Sequence, residues 1–289
     1  MPEDVDAFLE KEHDVPNIAA LPAIVIKAEE LPPFPITAIV GQTHLKKAVL
    51  LALANPAISS VLLIGDGETG KSTAIQTGKT MIPEEVPFLE MPLNVTKIQL
   101  FGGKTKADGK EVEVTGLVDQ AAGGYLFIGR FNLFDDGTIG KMLASAKKKG
   151  FTLLATANLE DGGFPEEFDD ELDLRVDVSS LTDIEERIEI LKRLEGYRRD
   201  PKVFYQTYKG REDNLRKRVE KARKIVKSVE FSKQSQKKIT SVCKKLNKTE
   251  REEAVMKAMA ANAALEGRAW ASGEDLTEIL PLVCGKELK

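Results

Sequence analysis

The sequence predicts an α/β fold, a parallel sheet covered by helices and followed by an all-helical region, and three observations carry that prediction. Short apolar runs alternate with amphipathic stretches between residues 41 and 195, the order a parallel sheet requires. One of those runs, VLLIG at 61–65, opens directly into the glycine-rich stretch DGETGKST and then a helical pattern. Beyond about residue 200 no strand pattern is evident, and apolar residues recur at helical spacing among many lysines and arginines.

The elements follow in order. Residues 1–33 form an acidic leader: its first 30 residues hold eight acids against Lys11 and Lys27, and it closes on LPPFP, whose prolines break regular structure. Residues 34–198 then read as helix 41–54, strand 60–65, helix 70–81, strand 88–92, strand 124–128, helix 136–149, strand 151–156, strand 174–178 and helix 182–195. Between the second and third of those strands, FGGKTKADGKEVEVTG has the glycine and charge content of an inserted loop or hairpin. Residues 199–289 read as a helical domain. Leu215, Val219, Ala222, Val226 and Val229 mark one buried stripe of a long helix there.

Composition narrows the class. A chain of 289 residues that is 42% hydrophobic has ample material for a core. No apolar run nears the roughly 18 residues of a membrane span, and the acidic N-terminus has the wrong charge for a secretory signal, so a cytoplasmic protein is expected. Cys243 and Cys284 lack metal-ligand spacing and read as reduced and structural, and His13 and His44 are isolated. The net charge of −4 hides a basic segment, 201–249, with sixteen Lys or Arg against four acids. That segment is either the wet face of the long helix or an arm for nucleic acid.

Gly65, Asp66, Gly67, Glu68, Thr69, Gly70, Lys71 and Ser72, followed by Thr73, satisfy G-x-x-x-x-G-K-[ST] between a strand and a helix. Glycines let successive backbone N–H groups turn toward phosphate oxygens, and the following helix presents its positive end. Lys71 is placed to reach the β- and γ-phosphates, and the Ser72 hydroxyl to ligate Mg²⁺. ATP is the expected ligand.

FPITAIVGQ (34–42), the GDGETGKST loop, PLNVTKIQLFG (92–102), GLVDQAAGGYLFIGRFNLFDD (116–136), LTDIEERIEIL (181–191) and AALEGRA (263–269) together resemble the AAA+ ATPase subunit of magnesium chelatase, in order and over nearly the whole chain after the leader. The resemblance implies an AAA+ P-loop NTPase domain with a parallel sheet followed by an all-helical lid domain. It also implies assembly into rings with ATP at each subunit boundary.

The departures fall on positions that the resemblance marks as catalytic. Where the family strand ends in Asp-Glu, this chain has Gly129 and Arg130; glycine supplies no oxygen for a metal, and arginine accepts no proton. Asp135 and Asp136 are the alternative acids. Where the family carries an arginine-containing run ending Asp-Arg-Phe, this chain has Asp170, Glu171 and Leu172, so the arginine finger has no match, and Lys149 and Gly150 lead straight into FTLLATAN without the family's hairpin. Asn158 stands at the first sensor, with a strand-end cap as its alternative role, and Lys257 matches a lid arginine in charge only. Arg130 is expected beside Lys71 at the phosphates, in the metal site, or paired with Asp66 or Glu68. Mg²⁺ is therefore expected to be held weakly. The leading reading is a hydrolysis-impaired regulatory or scaffolding subunit partnered by active paralogues in a hetero-oligomeric ring. The others are an active ATPase driving metal insertion into a tetrapyrrole, and a nucleic-acid-associated AAA+ module.

Overall fold

The computed structural model describes residues 31–92, 95–107 and 110–285, so nearly all of the leader lies outside the described residues. Helix α1 (Thr43–Ala54) precedes strand β1 (Ser60–Gly65), and α2 (Lys71–Gly78) follows the glycine loop. Next come β2 (Phe88–Glu90), the short helix α3 (Lys97–Phe101), β3 (Gly103–Ala107) and β4 (Lys110–Val114), then α4 (Leu117–Gln120), β5 (Tyr125–Ile128), α5 (Asp136–Lys149), β6 (Thr152–Asn158) and β7 (Leu174–Val178). Five strands form one parallel sheet in the order β2-β5-β6-β1-β7, while β3 and β4 pair only with each other as an antiparallel hairpin. That hairpin is the glycine-rich insertion. The short helices α3 and α4 that flank it are not evident in the sequence pattern; α3 is fixed by a capping box between Thr96 and Gln99.

The central strands are mostly apolar and almost wholly buried because both faces of the sheet are covered. Every residue of β1 and β5 is buried. Val61, Leu63 and Leu154 join one buried cluster with α1, while Leu62, Ile64 and Leu153 join another with α5. Helix α5 owes its bounds to its ends. The Asp135 carboxylate accepts from Thr138 N, and Gly150 closes the helix in the left-handed region at φ +69°.

Helix α6 (Ile184–Arg199) ends at Asp200, whose carboxylate caps α7 (Pro201–Ile225); α8 (Lys233–Lys245), α9 (Glu252–Leu265) and α10 (Gly273–Val283) complete the chain. The expected stripe packs as predicted, with Val219, Ala222 and Val226 buried and Leu215 and Val229 half-buried against the same cluster. Apart from Arg223 and Lys248, the basic residues of 201–249 are exposed. The helical region does not close over the glycine loop as a lid. It packs behind the sheet, α9 on α1 and α10 on β7, within the cluster that contains β1. Arg223 fastens the two layers by donating to Leu53 O (2.8 Å) and to the Tyr125 hydroxyl (2.7 Å). Cys243 and Cys284 are buried free thiols, and burial first, then the neighbouring Cys284, pushes the Cys243 thiol up to about 11. No helix among the described residues is long and apolar enough to cross a membrane.

Candidate functional site

Gly65 ends β1 in register with Asn158 of β6 and Val178 of β7, so the glycine loop rises from the middle of the sheet's carboxyl edge. The close approach to β7 requires glycine here, since a Cβ on Gly65 would stand 1.7 Å from the Val178 carbonyl oxygen. Gly70, at φ +86°, starts α2, and no side chain caps that end. The first N–H groups of α2 are thus left for a ligand. Glu68 also takes the left-handed region, at φ +55°.

Lys71 is buried and curls over the loop, donating to Gly65 O (2.9 Å), to Asp66 O and to Thr69 Oγ1 (3.2 Å). Burial lowers its pKa, and the carboxylates of Asp66 and Glu160 oppose that shift. Thr69 in turn donates to Asp66 O (3.0 Å), and the Asp66 carboxylate accepts weakly from Ser180 N and Oγ (3.4 and 3.3 Å). Ser72 is exposed on the first turn of α2. Gly67 and Thr73 line a cavity of about 760 Å³ beside the loop, walled by Ile39, Leu181, Leu194 and Tyr197.

The cavity wall formed by residues 36–42 is strapped in place from four directions. Glu212 of α7 accepts from Thr37 N and Oγ1, Arg193 of α6 donates to Ala38 O, Lys46 of α1 to Ile39 O, and Gln42 to Ser179 O. No residue beyond Arg198 lines this cavity. Lys257, expected to reach the nucleotide, lies elsewhere. Its ammonium meets Asp173 (3.4 Å), just before β7, and Glu253 (2.8 Å), at the amino edge of the sheet and across its length from the loop. The reason is the packing of α9 behind α1 rather than over the loop.

At the end of β5, Gly129 has open space around it and Arg130 is left-handed at φ +52°. Arg130 pairs with neither Asp66 nor Glu68. Its Nε lies 3.4 Å from Asp161 Oδ2, and the same oxygen accepts from Asn158 Nδ2 at 3.3 Å. The Asn158 side chain therefore holds a carboxylate and caps no backbone. Asn132 bridges the two strand ends by donating to Asn158 O and Gly162 O. Asp135 is consumed as a helix cap, its carboxyl held below the usual range first by the Thr138 hydroxyl and then by the Thr138 amide. Asp136 is exposed on the first turn of α5.

Two acids at this edge escaped the sequence reading, Glu160 and Asp161. The available signal was an acidic pair two residues past the end of a strand, in a sheet that binds ligands at its carboxyl edge. Both Glu160 carboxylate oxygens lie 3.8 Å from where a Cβ on Gly67 would stand.

Several relatives of this chain are named as magnesium-chelatase subunits. It is 28% identical to a ChlI homologue of magnesium chelatase from Methanocaldococcus jannaschii, over 86% of this chain and 84% of that protein. It is 27% identical to the magnesium-chelatase 38 kDa subunit of Rhodobacter capsulatus, over 74% and 75%, and 25% identical to the chloroplastic ChlI subunit of Glycine max, over 93% and 78%. The chain is thus similar to magnesium-chelatase ChlI subunits over most of its length. No protein-family model matches the chain. A crystal structure from Cytophaga hutchinsonii, described as a candidate ATPase, has a TM-score of 0.62 over 86% of this chain and 83% of that one at 14% identity, which bears on the fold alone. The fold is α/β, a parallel sheet with the G-x-x-x-x-G-K-[ST] loop at its carboxyl edge and the helical region after it.

Proposed function

We propose that the chain is an ATP-binding AAA+ subunit of a magnesium-chelatase-type complex, impaired in hydrolysis, that regulates or scaffolds an active paralogue in a hetero-oligomeric ring. One observation carries the reading. A phosphate cradle complete in Gly65, Gly70 and Lys71 stands beside a β5 end where Gly129 offers no oxygen and Arg130 is turned to Asp161. The residues fit a nucleotide: α2 leaves its first N–H groups uncapped, Lys71 supplies a cation, and the cavity walled by Ile39, Leu181 and Tyr197 has room for a purine. Bound Mg²⁺ would neutralise phosphate charge. For it this chain offers the Ser72 hydroxyl and no acid at the end of β5.

The residues then divide the work. The backbone of the loop orients the phosphates, Lys71 balances their charge, and the strapped segment 36–42 holds the wall of the cavity. No group on β5 can take a proton from water, and Asp170 and Glu171 bring negative charge where a neighbour's arginine would be worth about 10³ to 10⁵ in rate. A cytoplasmic setting is part of the same proposal.

Two results are expected. Fluorescent ATP should bind with affinities within about threefold of each other in Mg²⁺ and in EDTA, because little of the site is built to fix the metal. A tenfold or larger loss in EDTA would show that an acid of this chain holds it. Light scattering with ATP should show no closed ring of this chain alone and assembly only on mixing with a finger-bearing ChlI-type subunit. A stable homohexamer would rule out an obligate accessory role.

A further inference from the structure

Building on the nucleotide-binding reading, we infer that Glu160 sets the phosphate selectivity of the site, disfavouring a nucleoside triphosphate relative to a diphosphate. Glu160 lies two residues past Asn158, which pairs in register with Gly65 at the root of the loop. This places its carboxylate over the middle of the loop, with both oxygens 3.8 Å from the position of a Gly67 Cβ.

The neighbouring polar groups are engaged. Asp161 holds Arg130 and Asn158, Asp66 meets Ser180, and Lys71 is bound to loop carbonyls. Glu160, in contrast, is exposed and makes no hydrogen bond or ion pair among the described residues. Its charge still reaches Lys71, whose ammonium it stabilises. Lys71 is the side chain that this loop motif directs at the β- and γ-phosphates. A terminal phosphate drawn to Lys71 therefore comes under the repulsion of Glu160, while a diphosphate leaves that position to water. Two features of the structure leave the repulsion standing: the end of β5 holds no acid to fix a neutralising cation, and the guanidinium of Arg130, just past that end, is tied to Asp161.

The experiment is calorimetric titration of the full chain with ADP and with ATP, in EDTA, for wild type, Glu160→Gln and Lys71→Ala. Glu160→Gln removes one charge from an exposed side chain without hydrogen bonds, so folding should be unaffected. Wild type should bind ADP about fivefold or more tighter than ATP. Glu160→Gln should tighten ATP by about the same factor and change ADP by less than about twofold, the effect of one charge near a largely solvated phosphate. An unchanged ADP:ATP ratio in Glu160→Gln, with both nucleotides lost in Lys71→Ala, would overturn this role and leave the nucleotide site standing. Weaker ATP binding in Glu160→Gln would overturn it in favour of a carboxylate that supports the terminal phosphate through a cation or a water. Failure of wild type to bind either nucleotide would overturn both this inference and the reading beneath it.

Discussion

Lys71→Ala is expected to weaken ATP and ADP binding by about a hundredfold or more while leaving the fold intact. Among the described residues Lys71 is the cation bonded to the loop itself, while Arg130 is bound to Asp161. A cation and a phosphate oxygen about 5 Å apart interact by roughly 3 kcal/mol at an effective dielectric near 20. A hundredfold change in affinity is about 2.7 kcal/mol, so losing even one such contact suffices. Stability should move little, and the direction follows from the titration. Burial lowers the folded pKa of Lys71 below its ordinary 10.5, so between the two values the unfolded chain binds the extra proton. Stability then rises with pH in that window, and at neutral pH the buried ammonium opposes folding. Alanine removes that cost along with three hydrogen bonds within the loop. Titration with fluorescent nucleotide beside thermal unfolding separates the outcomes: retained affinity would refute the phosphate site, and a large fall in melting temperature would mean that the loop lysine is structural.

How far the sequence led depended on whether an element is decided locally. Strand Ser60–Gly65, helix Asp136–Lys149 and strand Leu174–Val178 lie where the local patterns put them: the first is a buried run that is mostly apolar, Asp135 and Gly150 terminate α5 by their own chemistry, and the last alternates buried Leu174, Val176 and Val178 with half-exposed Arg175 and Asp177. The glycine loop was legible for the same reason, its spacing being the geometry. The partner of Arg130 was not legible. Asp161 lies 31 residues away and reaches it only because β6 pairs with β5. Glu160 was hidden within the acidic run NLEDGGFPEEFDDE, and only the register of Gly65 with Asn158 brings it over the loop. Lys257 was misplaced because matching residues along a chain transfers charge without position, and the packing of α9 behind α1 puts that charge at the far edge of the sheet.

Restoring both acids at the end of β5 is expected to restore only half of a working site. Gly129→Asp meets open space, with no atom within 4 Å of the new Cβ, so the carboxylate can be accommodated without repacking. Arg130→Glu keeps the left-handed backbone that Arg130 already adopts at φ +52°, so exchanging one L side chain for another adds little strain there. It also removes the guanidinium from Asp161, leaving three carboxylates with Glu160 around the loop. That concentration of negative charge calls for a divalent cation, so nucleotide binding should become dependent on magnesium by tenfold or more where the parent shows about threefold at most. Turnover should still be nearly absent when the double mutant is alone. On the proposed reading a neighbouring copy supplies no finger, since Asp170, which pairs with Lys248, and Glu171 stand where the resemblance expects the arginine, and removing one of several cooperating catalytic groups costs nearly as much as removing them all. Phosphate release is therefore expected only after mixing with a ChlI-type subunit that supplies the arginine. If the parent chain alone turned over at about 1 per second or faster, the lower range of competent enzymes, the impaired-hydrolysis proposal would fail. Glu160 would then be the first residue to test as the base, since its unpartnered carboxylate already faces the loop.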